Sequence, residues 1–369
     1  MFLNVTKMKN LLKTLLLCGV ALVIGGTVIE VYGYAKYRAF PSNPLVVLLN
    51  PSQLFLQKTF SIDQRSPEFR PVVAFSADGK FLASSTVNNS LMLWLPEVKS
   101  INQGTMFNWI KALAFHPDGQ ILAVGRSDGT VELIEAKTME TIRTLPTDPE
   151  SVRREQLGLP EITSVAFSPD GKTIAVGSFN STVKLWDLKT GQVESTFSWQ
   201  PSTLGVAQIA SDTPIAFSPD GQALAIGIND GSIKLWHPKT GQLIHILKGH
   251  SDSVLSVAFS PDGKTLATGS SDRTMKLWDW KIGQEIRTIS PEQSSVFSVT
   301  FSPDSQTIAS VGPAQEIKLW NRNTGEWLRT LNAWENQRSL GFSSIAFSPR
   351  GNTLASQSAD GTVKLWQVQ

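Results

Sequence analysis

The chain has one cysteine and four histidines among 369 residues, so thiol and imidazole chemistry have few side chains to use. The cysteine, Cys18, precedes the region that dominates the sequence, which excludes a disulfide framework or a thiolate metal site within that region. The histidines, His116, His237, His245 and His250, fall at different positions of the pattern described below, which disfavours a metal cluster. We therefore expect neither a metal nor another cofactor.

A strong excess of positive charge is also lacking. The formal net charge is +2, and no long run of Lys or Arg follows residue 53. Because sequence-independent phosphate binding needs clustered Lys and Arg, we do not expect a nucleic-acid partner. No paired nucleophile and base and no Gly-rich phosphate loop stands out, so the sequence assigns no catalytic residue and no small-molecule substrate.

What the sequence does contain is a repeat. A Ser-Pro-Asp-Gly turn at residues 168–171, followed by a segment that ends in Trp186-Asp187, recurs seven times with small variations. Spacings of roughly 40–50 residues are typical of a repeat array. The residues that close the copies are Trp94, Ile134, Trp186, Trp236, Trp278, Trp320 and Trp366.

Each copy predicts four β-strands. Its apolar or alternating runs are short and bounded by turn residues, which favours strands over helices. Pro-Asp-Gly suits a tight turn because Pro presets φ, Asp bonds the nearby backbone and Gly accepts a positive φ. A second turn, such as Lys-Thr-Gly at 189–191, leads to a fourth strand. The pattern predicts an all-β fold, a seven-bladed β-propeller.

The copies resemble the WD-repeat (WD-40) β-propeller family, in the form of a bacterial-type repeat protein, from about residue 53 to the C-terminus. The resemblance implies a ring of blades around a central channel. It also implies that a His, a strand hydroxyl, an Asp and the Trp form a hydrogen-bonded network that links the strands of a blade; we call this network the stitch. The fifth copy alone has the full set: His250, Thr268 or Ser270, Asp272 and Trp278. The same resemblance implies structural roles for Trp94, Trp186, Trp236, Trp320 and Trp366.

The last copy stops after its third strand, at residues 363–369. Residues 53–60 precede the first copy and alternate as a fourth strand does. We predict that this N-terminal strand completes the seventh blade, which removes two exposed strand edges.

The N-terminus predicts a membrane-targeting segment. Lys7, Lys9 and Lys13 precede an uncharged apolar run at 14–29, and the three tyrosines of the chain follow it. Residues 1–35 fit either an uncleaved transmembrane helix with interfacial Tyr residues or a signal helix cleaved near Ala35. Both alternatives place the propeller outside the cytoplasm, at or beyond a membrane.

These patterns divide the chain into three parts. Residues 1–35 form the predicted anchor or signal segment, residues 36–52 a connector that contains three prolines, and residues 53–369 the propeller.

Long inter-blade connections predict where a protein partner docks. The connections at 146–161, 198–213 and 332–341 exceed what the repeat requires, and a shorter connection at 101–109 carries Trp109; all emerge opposite the Pro-Asp-Gly turns. Loops on rigid scaffolds often bind, and Trp and Arg are favoured at interface centres. The predicted docking residues are Trp109, Arg153, Arg154, Trp199, Trp334 and Arg338.

Two alternatives stay open. Each of these tryptophans can instead cover the end of its own blade. The alternative function is an extracytoplasmic propeller enzyme or ligand binder with its site at the central channel.

Overall fold

The protein is described by a computed structural model, and every regular element among its described residues is a β-strand. The described residues are 22–24, 27–29, 47–48, 57–60, 71–86, 90–94, 99–101, 108–146, 161–179, 181–198, 213–290, 294–314, 316–332 and 341–368.

Seven antiparallel sheets form the blades, and in blades 1 to 6 the four strands pair in sequence order. Blade 1 contains Val73–Phe75, Leu82–Ser85, Leu91–Leu93 and Lys99–Ile101. Blade 2 contains Ile110–Phe115, Ile121–Arg126, Thr130–Glu135 and Thr141–Pro146. Blade 3 contains Ile162–Phe167, Thr173–Ser178, Thr182–Asp187 and Val193–Ser198.

The remaining blades repeat this meander. Blade 4 contains Ile215–Phe217, Leu224–Gly227, Ile233–Trp236 and Leu243–Leu247. Blade 5 contains Val254–Phe259, Leu266–Ser270, Met275–Asp279 and Gln284–Ile289. Blade 6 contains Ser298–Phe301, Thr307–Val311, Glu316–Asn321 and Trp327–Asn332. Blade 7 begins with Phe342–Phe347, Thr353–Ser358 and Val363–Gln367.

The ring closes as the sequence predicts. The fourth strand of blade 7 is Gln57–Phe60, which pairs antiparallel with the C-terminal strand in the register Val363 to Phe60 and Leu365 to Lys58. A further strand, Val47–Leu48, adds to the outside of this sheet. The first strands of consecutive blades contact each other around the ring, and the first strand of blade 7 contacts that of blade 1. The fold is therefore a seven-bladed propeller.

Apolar packing between blades forms the core. Each seam between neighbouring blades holds one cluster of buried apolar side chains. The second strands are buried along their length, and a glycine in several of them allows the next blade to approach. A Cβ at Gly269, for example, would lie 2.7 Å from Cγ1 of Val296 in blade 6. The repeated small residues thus set the spacing of the ring.

The helix predicted near the N-terminus is not found among the described residues. Leu22–Ile24 and Thr27–Ile29 form a small antiparallel hairpin instead. The sequence explains the difference, because β-branched residues flank Gly25-Gly26, and a two-residue Gly-Gly link is a common hairpin signal. Within the described part of the chain there is no helix with the length and apolarity needed to cross a bilayer.

Candidate protein-docking face

One end of the ring carries both the inter-blade connections and the turns between second and third strands; we name this end the docking face. Backbone hydrogen bonds join the two sets of loops. The amide of Phe179 donates to the carbonyl of Glu161 at 2.8 Å in blade 3, and the amide of Ser271 donates to the carbonyl of Ser253 at 2.9 Å in blade 5. The start of each of these blades is thereby fixed beside its own turn.

Trp109 is the one predicted docking residue that the structure describes. It lies just before the first strand of blade 2 and is partly buried. Its amide donates to Oγ of Ser127 at 2.8 Å, and its carbonyl accepts from the Ser127 amide at 2.8 Å. Trp109 is therefore held at the docking face by the turn of its own blade.

The other predicted docking residues lie outside the described residues. They are Arg153, Arg154, Trp199, Trp334 and Arg338. The strands that flank their connections are described, and all of these connections leave and re-enter the ring at the docking face. The structure thus locates the ends of the loops, and the roles of these five residues stay predictions.

Two described residues on the docking face were missed by the sequence reasoning. Phe179 is 41% exposed at a turn position where blade 5 has Ser271. Arg273 is exposed with a φ of 70°, at the position where blade 2 has Gly129. A non-glycine residue in this left-handed region costs roughly 1–2 kcal/mol. Comparing the turns of the seven copies position by position would have singled out both residues.

The stitch of blade 5 is one chain of hydrogen bonds that runs from Trp278 to Asp272 at the docking face. Trp278 Nε1 donates to Thr268 Oγ1 at 2.9 Å, and Thr268 Oγ1 lies 2.7 Å from His250 Nε2. His250 Nδ1 lies 2.8 Å from Asp272 Oδ2. Thr268 is therefore the strand hydroxyl of the stitch, whereas Ser270 Oγ donates to the carbonyl of Asp252 at 2.9 Å.

A neutral imidazole completes this chain of hydrogen bonds. In that form Thr268 donates to Nε2, and the ring proton on Nδ1 is donated to the carboxylate of Asp272. Burial disfavours the imidazolium and lowers the pKa of His250 below its usual value, although Asp272 opposes this shift. Asp272 is itself penalised by burial, but hydrogen bonds from Thr274 and His250 keep its pKa below the ordinary value. The site is a structural clamp.

The repeated tryptophans differ in how their indole N–H is satisfied. Trp94, Trp320 and Trp366 donate to a second-strand serine, Ser84, Ser310 and Ser356, at 2.8, 2.9 and 2.8 Å. Blades 3 and 4 have Val176 and Ile226 at that position. The buried Nε1 atoms of Trp186 and Trp236 accordingly have no hydrogen-bond partner among the described residues. Those two blades are held at this position by packing alone.

At the opposite end of the ring, the aspartates of the Pro-Asp-Gly turns stabilise their own turns. In blade 5, Asp262 Oδ1 accepts from Ser260 Oγ at 2.6 Å and from the Lys264 amide at 3.1 Å. Burial raises the pKa of Asp262, but the bonds from Ser260 and Arg322 outweigh it and lower the pKa to about 2. Within the described residues, no group of three or more His, Cys, Asp or Glu side chains converges on a common point.

The outer rim carries large exposed apolar side chains that the sequence reasoning did not consider. They lie on or beside the fourth strands of blades 2 to 6. Their exposed fractions range from 40% for Val193 to 61% for Ile282, and the others are Ile142, Leu243, Ile246, Ile286, Trp327 and Leu328.

Two family models match overlapping parts of the ring. Residues 211–369 match the model of the IFT122 first beta-propeller, and residues 76–249 match that of the nucleolar protein 10-like N-terminal domain.

Curated relatives match shorter stretches. The chain is 30% identical over 149 residues to the COMPASS component SWD3 of Saccharomyces cerevisiae, which covers 37% of this chain and 44% of that protein. It is 26% identical over 146 residues to a guanine nucleotide-binding protein subunit beta of Oryza sativa subsp. japonica, covering 37% and 38%. It is 28% identical over 126 residues to the WD repeat-containing protein SL1-17 of Schistosoma mansoni, covering 33% and 38%. The matches thus span less than half the length of these relatives.

Proposed function

Since this chain is a seven-bladed WD-repeat propeller, we propose that it is a non-catalytic scaffold that docks a protein partner on the docking face. WD-repeat relatives support a role in protein assemblies at the coarse level, because two of them are named as a component and a subunit. The likeness supports the class of function, whereas the docking face and the partner are our proposal.

The observation that carries the proposal is that exposed Phe179 in blade 3 and exposed, strained Arg273 in blade 5 lie on the same face. Neither feature helps the ring to fold, since Phe179 leaves apolar surface in water and Arg273 adopts a conformation that suits glycine. Strained residues in proteins concentrate at functional sites. Aromatic residues and Arg are also the side chains most enriched at the energetic centres of interfaces.

Compared with catalysis or nucleic-acid binding, protein docking needs the fewest assumptions. The net charge is only +2 and no long run of Lys or Arg follows residue 53, so the sequence gives no sign of the clustered basic residues that phosphate backbones require. His250 and Asp272, the best-formed polar pair on this face, are buried within the stitch and bonded to each other. They are committed to the blade and do not face a ligand.

The test is a crosslinked pull-down of the tagged full-length chain from detergent-solubilised membranes, beside docking-face variants. We expect a protein captured by the wild type to be lost from the Phe179→Ala, Arg273→Gly double variant and from the Trp109, Trp199, Trp334 triple alanine variant. Arg273→Gly removes backbone strain, so loss of capture is not explained by unfolding. The rim variant Trp327→Ala is the matched control and should capture normally. Equal capture by all variants would refute the docking face.

We further propose that the apolar segment at 14–29 places the ring at a membrane, on the extracytoplasmic side or exported after cleavage. The support is the sequence alone: Lys residues before the run and tyrosines after it. Spanning the bilayer would require this segment to become helical in lipid, because backbone groups in hydrocarbon must pair within the segment. Membrane fractionation with and without residues 1–35 tests this, and an intact chain that stays in the soluble cytoplasmic fraction would contradict it.

A further inference from the structure

One position of the fourth strand is basic in six of the seven blades. It is defined by the sheet register as the residue that pairs with the Leu of the third strand. In blade 3 the residue at this position is Ser195, which pairs with Leu185. The residues at this position in the other six blades are Lys99, Arg143, His245, Arg287, Arg329 and Lys58.

Where the structure describes both this side chain and the neighbouring turn, the basic side chain forms a hydrogen bond to the next blade. Its ring or guanidinium N–H donates to a backbone carbonyl in the turn between the third and fourth strands of that blade. We call this contact the clasp. The pairs are Arg143 Nη1 to Leu188 O at 3.0 Å, His245 Nε2 to Lys281 O at 3.0 Å and Arg287 Nη2 to Asn323 O at 3.3 Å. Three seams are therefore tied by the same contact.

The glycine that ends each of these turns shows how closely the clasp approaches. A Cβ at Gly191 would lie 2.8 Å from Arg143 Nη1, and a Cβ at Gly283 would lie 3.1 Å from His245 Nδ1. The equivalent atom at Gly325 would collide with Arg287. At Gly241 in blade 4, which faces Ser195, a Cβ would meet nothing within 4 Å. Among the described residues, no atom thus fills the clasp position between blades 3 and 4.

An open cleft of about 350 Å³ lies at this seam. Leu185 and Glu194 of blade 3 line one side, and Pro238 and Lys239 of the blade 4 turn line the other. Ligand sites in proteins have volumes of roughly 300–1,000 Å³, so the cleft is large enough for a side chain of a partner.

The residues that line the cleft carry more negative than positive charge, with Asp170, Glu194 and Asp220 against Lys239. Hydrogen bonds from Ser168 and from the Lys172 amide lower the pKa of Asp170. Burial raises the pKa of Asp220, but a bond from Ser218 and the Gln222 amide lower it overall. Outside the lining, the charge of Lys172 further lowers the pKa of Asp170, and the charge of Lys281 further lowers that of Asp220. Asp170 and Asp220 therefore present anionic oxygens near neutral pH.

We propose that the cleft between blades 3 and 4 binds an arginine side chain of a protein partner. The partner's guanidinium replaces the clasp that Ser195 cannot make, with its N–H groups on the turn carbonyls of Pro238 or Lys239 and on the carboxylates. Arginine fits better than lysine because a planar guanidinium has five donors in a fixed fork and can serve carbonyl and carboxylate oxygens together. Three other seams of this protein, from blade 2 to 3, from 4 to 5 and from 5 to 6, hold a guanidinium or an imidazole in the same place.

This site is separate from the docking face, because it is lined by Pro-Asp-Gly turns and by an outer hairpin. The outcome of a test of this site therefore does not affect the proposed function of the docking face.

Saturation-transfer difference NMR on the full-length chain tests the site, with the acetylated, amidated tripeptide Gly-Arg-Gly as the probe. We expect saturable transfer to the arginine side-chain protons of the probe. The same tripeptide with citrulline, which is neutral and similar in shape, should show none. Ser195→Arg should abolish the transfer, because the protein's own arginine then fills the cleft, and it should raise the thermal midpoint by restoring the clasp.

Ser198→Arg is the matched control, since Ser198 is exposed at the end of the same strand. It adds the same charge outside the cleft and should bind the probe as the wild type does. Absence of transfer to the wild type, equal transfer with the citrulline probe, or unchanged transfer in Ser195→Arg would each overturn the proposal. A lowered midpoint in Ser195→Arg would show that an arginine does not fit and would also overturn it.

Discussion

Adding one hydroxyl to blade 3 should stabilise the protein, because the buried indole N–H of Trp186 would then have a hydrogen-bond acceptor. Trp186 has a buried Nε1 without a hydrogen-bond partner among the described residues, and Val176 stands where blade 5 has Thr268. Val176→Thr should supply the acceptor at a distance close to the 2.9 Å seen in blade 5. The change needs no new space, because Thr already fits this position next to a Trp.

Two opposing contributions to the free energy of unfolding set the size of the change in stability. Leaving a buried donor unpaired costs about 1–3 kcal/mol, and the new bond removes that cost. Replacing a buried methyl by a hydroxyl gives up about 1 kcal/mol of apolar transfer energy. Val176→Thr should therefore change the free energy of unfolding by between zero and about +2 kcal/mol, in the stabilising direction.

Val124→Thr is the matched control. Val124 and Val176 are both essentially buried, but in blade 2 the Trp is replaced by Ile134, which has no N–H to offer. The control should lose about 1–3 kcal/mol, because it buries a hydroxyl without an indole partner. Urea unfolding followed by circular dichroism measures both variants, and combining Val176→Thr with Trp186→Phe should remove the benefit. Equal destabilisation by the two threonines would refute the reasoning.

Further predictions concern the stitch, the closure and the tryptophans. Because folding lowers the pKa of His250, the contribution of this residue to stability is present above about pH 6.5 and is lost as pH falls through the native pKa. In His250→Gln, the free energy of unfolding measured in urea should therefore vary less between pH 7.5 and 5 than in the wild type. Deleting residues 1–62 should lower the thermal midpoint and cause concentration-dependent association, since blade 7 loses the strand at 57–60, whereas deleting residues 1–45 should not. Trp278→Ala should cost about 3–5 kcal/mol in urea unfolding, and Trp327→Ala, at 58% exposure, within about 0.5 kcal/mol.

The repeat made the ring predictable. Turn chemistry fixed each hairpin, as in Ser260-Pro261-Asp262-Gly263, and the seven copies fixed the number of blades. The alternation of residues 53–60 also predicted the closing strand, because a three-stranded last blade would expose an edge. The choice between Thr268 and Ser270 needed the structure, since both hydroxyls lie in the second strand of blade 5 and their partners are set by the loop that carries His250.

Contacts between blades were not predictable from a single repeat. The clasp of Arg143 on Leu188 joins residues in different copies, so its absence at Ser195 is visible only once the seams are known. The short hairpin at 22–29 was missed for another reason: apolar length was weighted above the β-branched residues and Gly25-Gly26. Phe179, by contrast, could have been identified from the sequence, because it differs from the residues at the same position of the other repeats.

The most direct test of the docking face is site-specific photo-crosslinking in cells, with p-benzoylphenylalanine placed in the full-length chain at one position per variant. Phe179 probes the docking face, Lys264 the Pro-Asp-Gly end and Trp327 the outer rim. The account predicts one discrete adduct of the same partner from position 179 and none of that partner from position 264 or 327. An adduct formed from position 264 or 327 but not from 179 would contradict it.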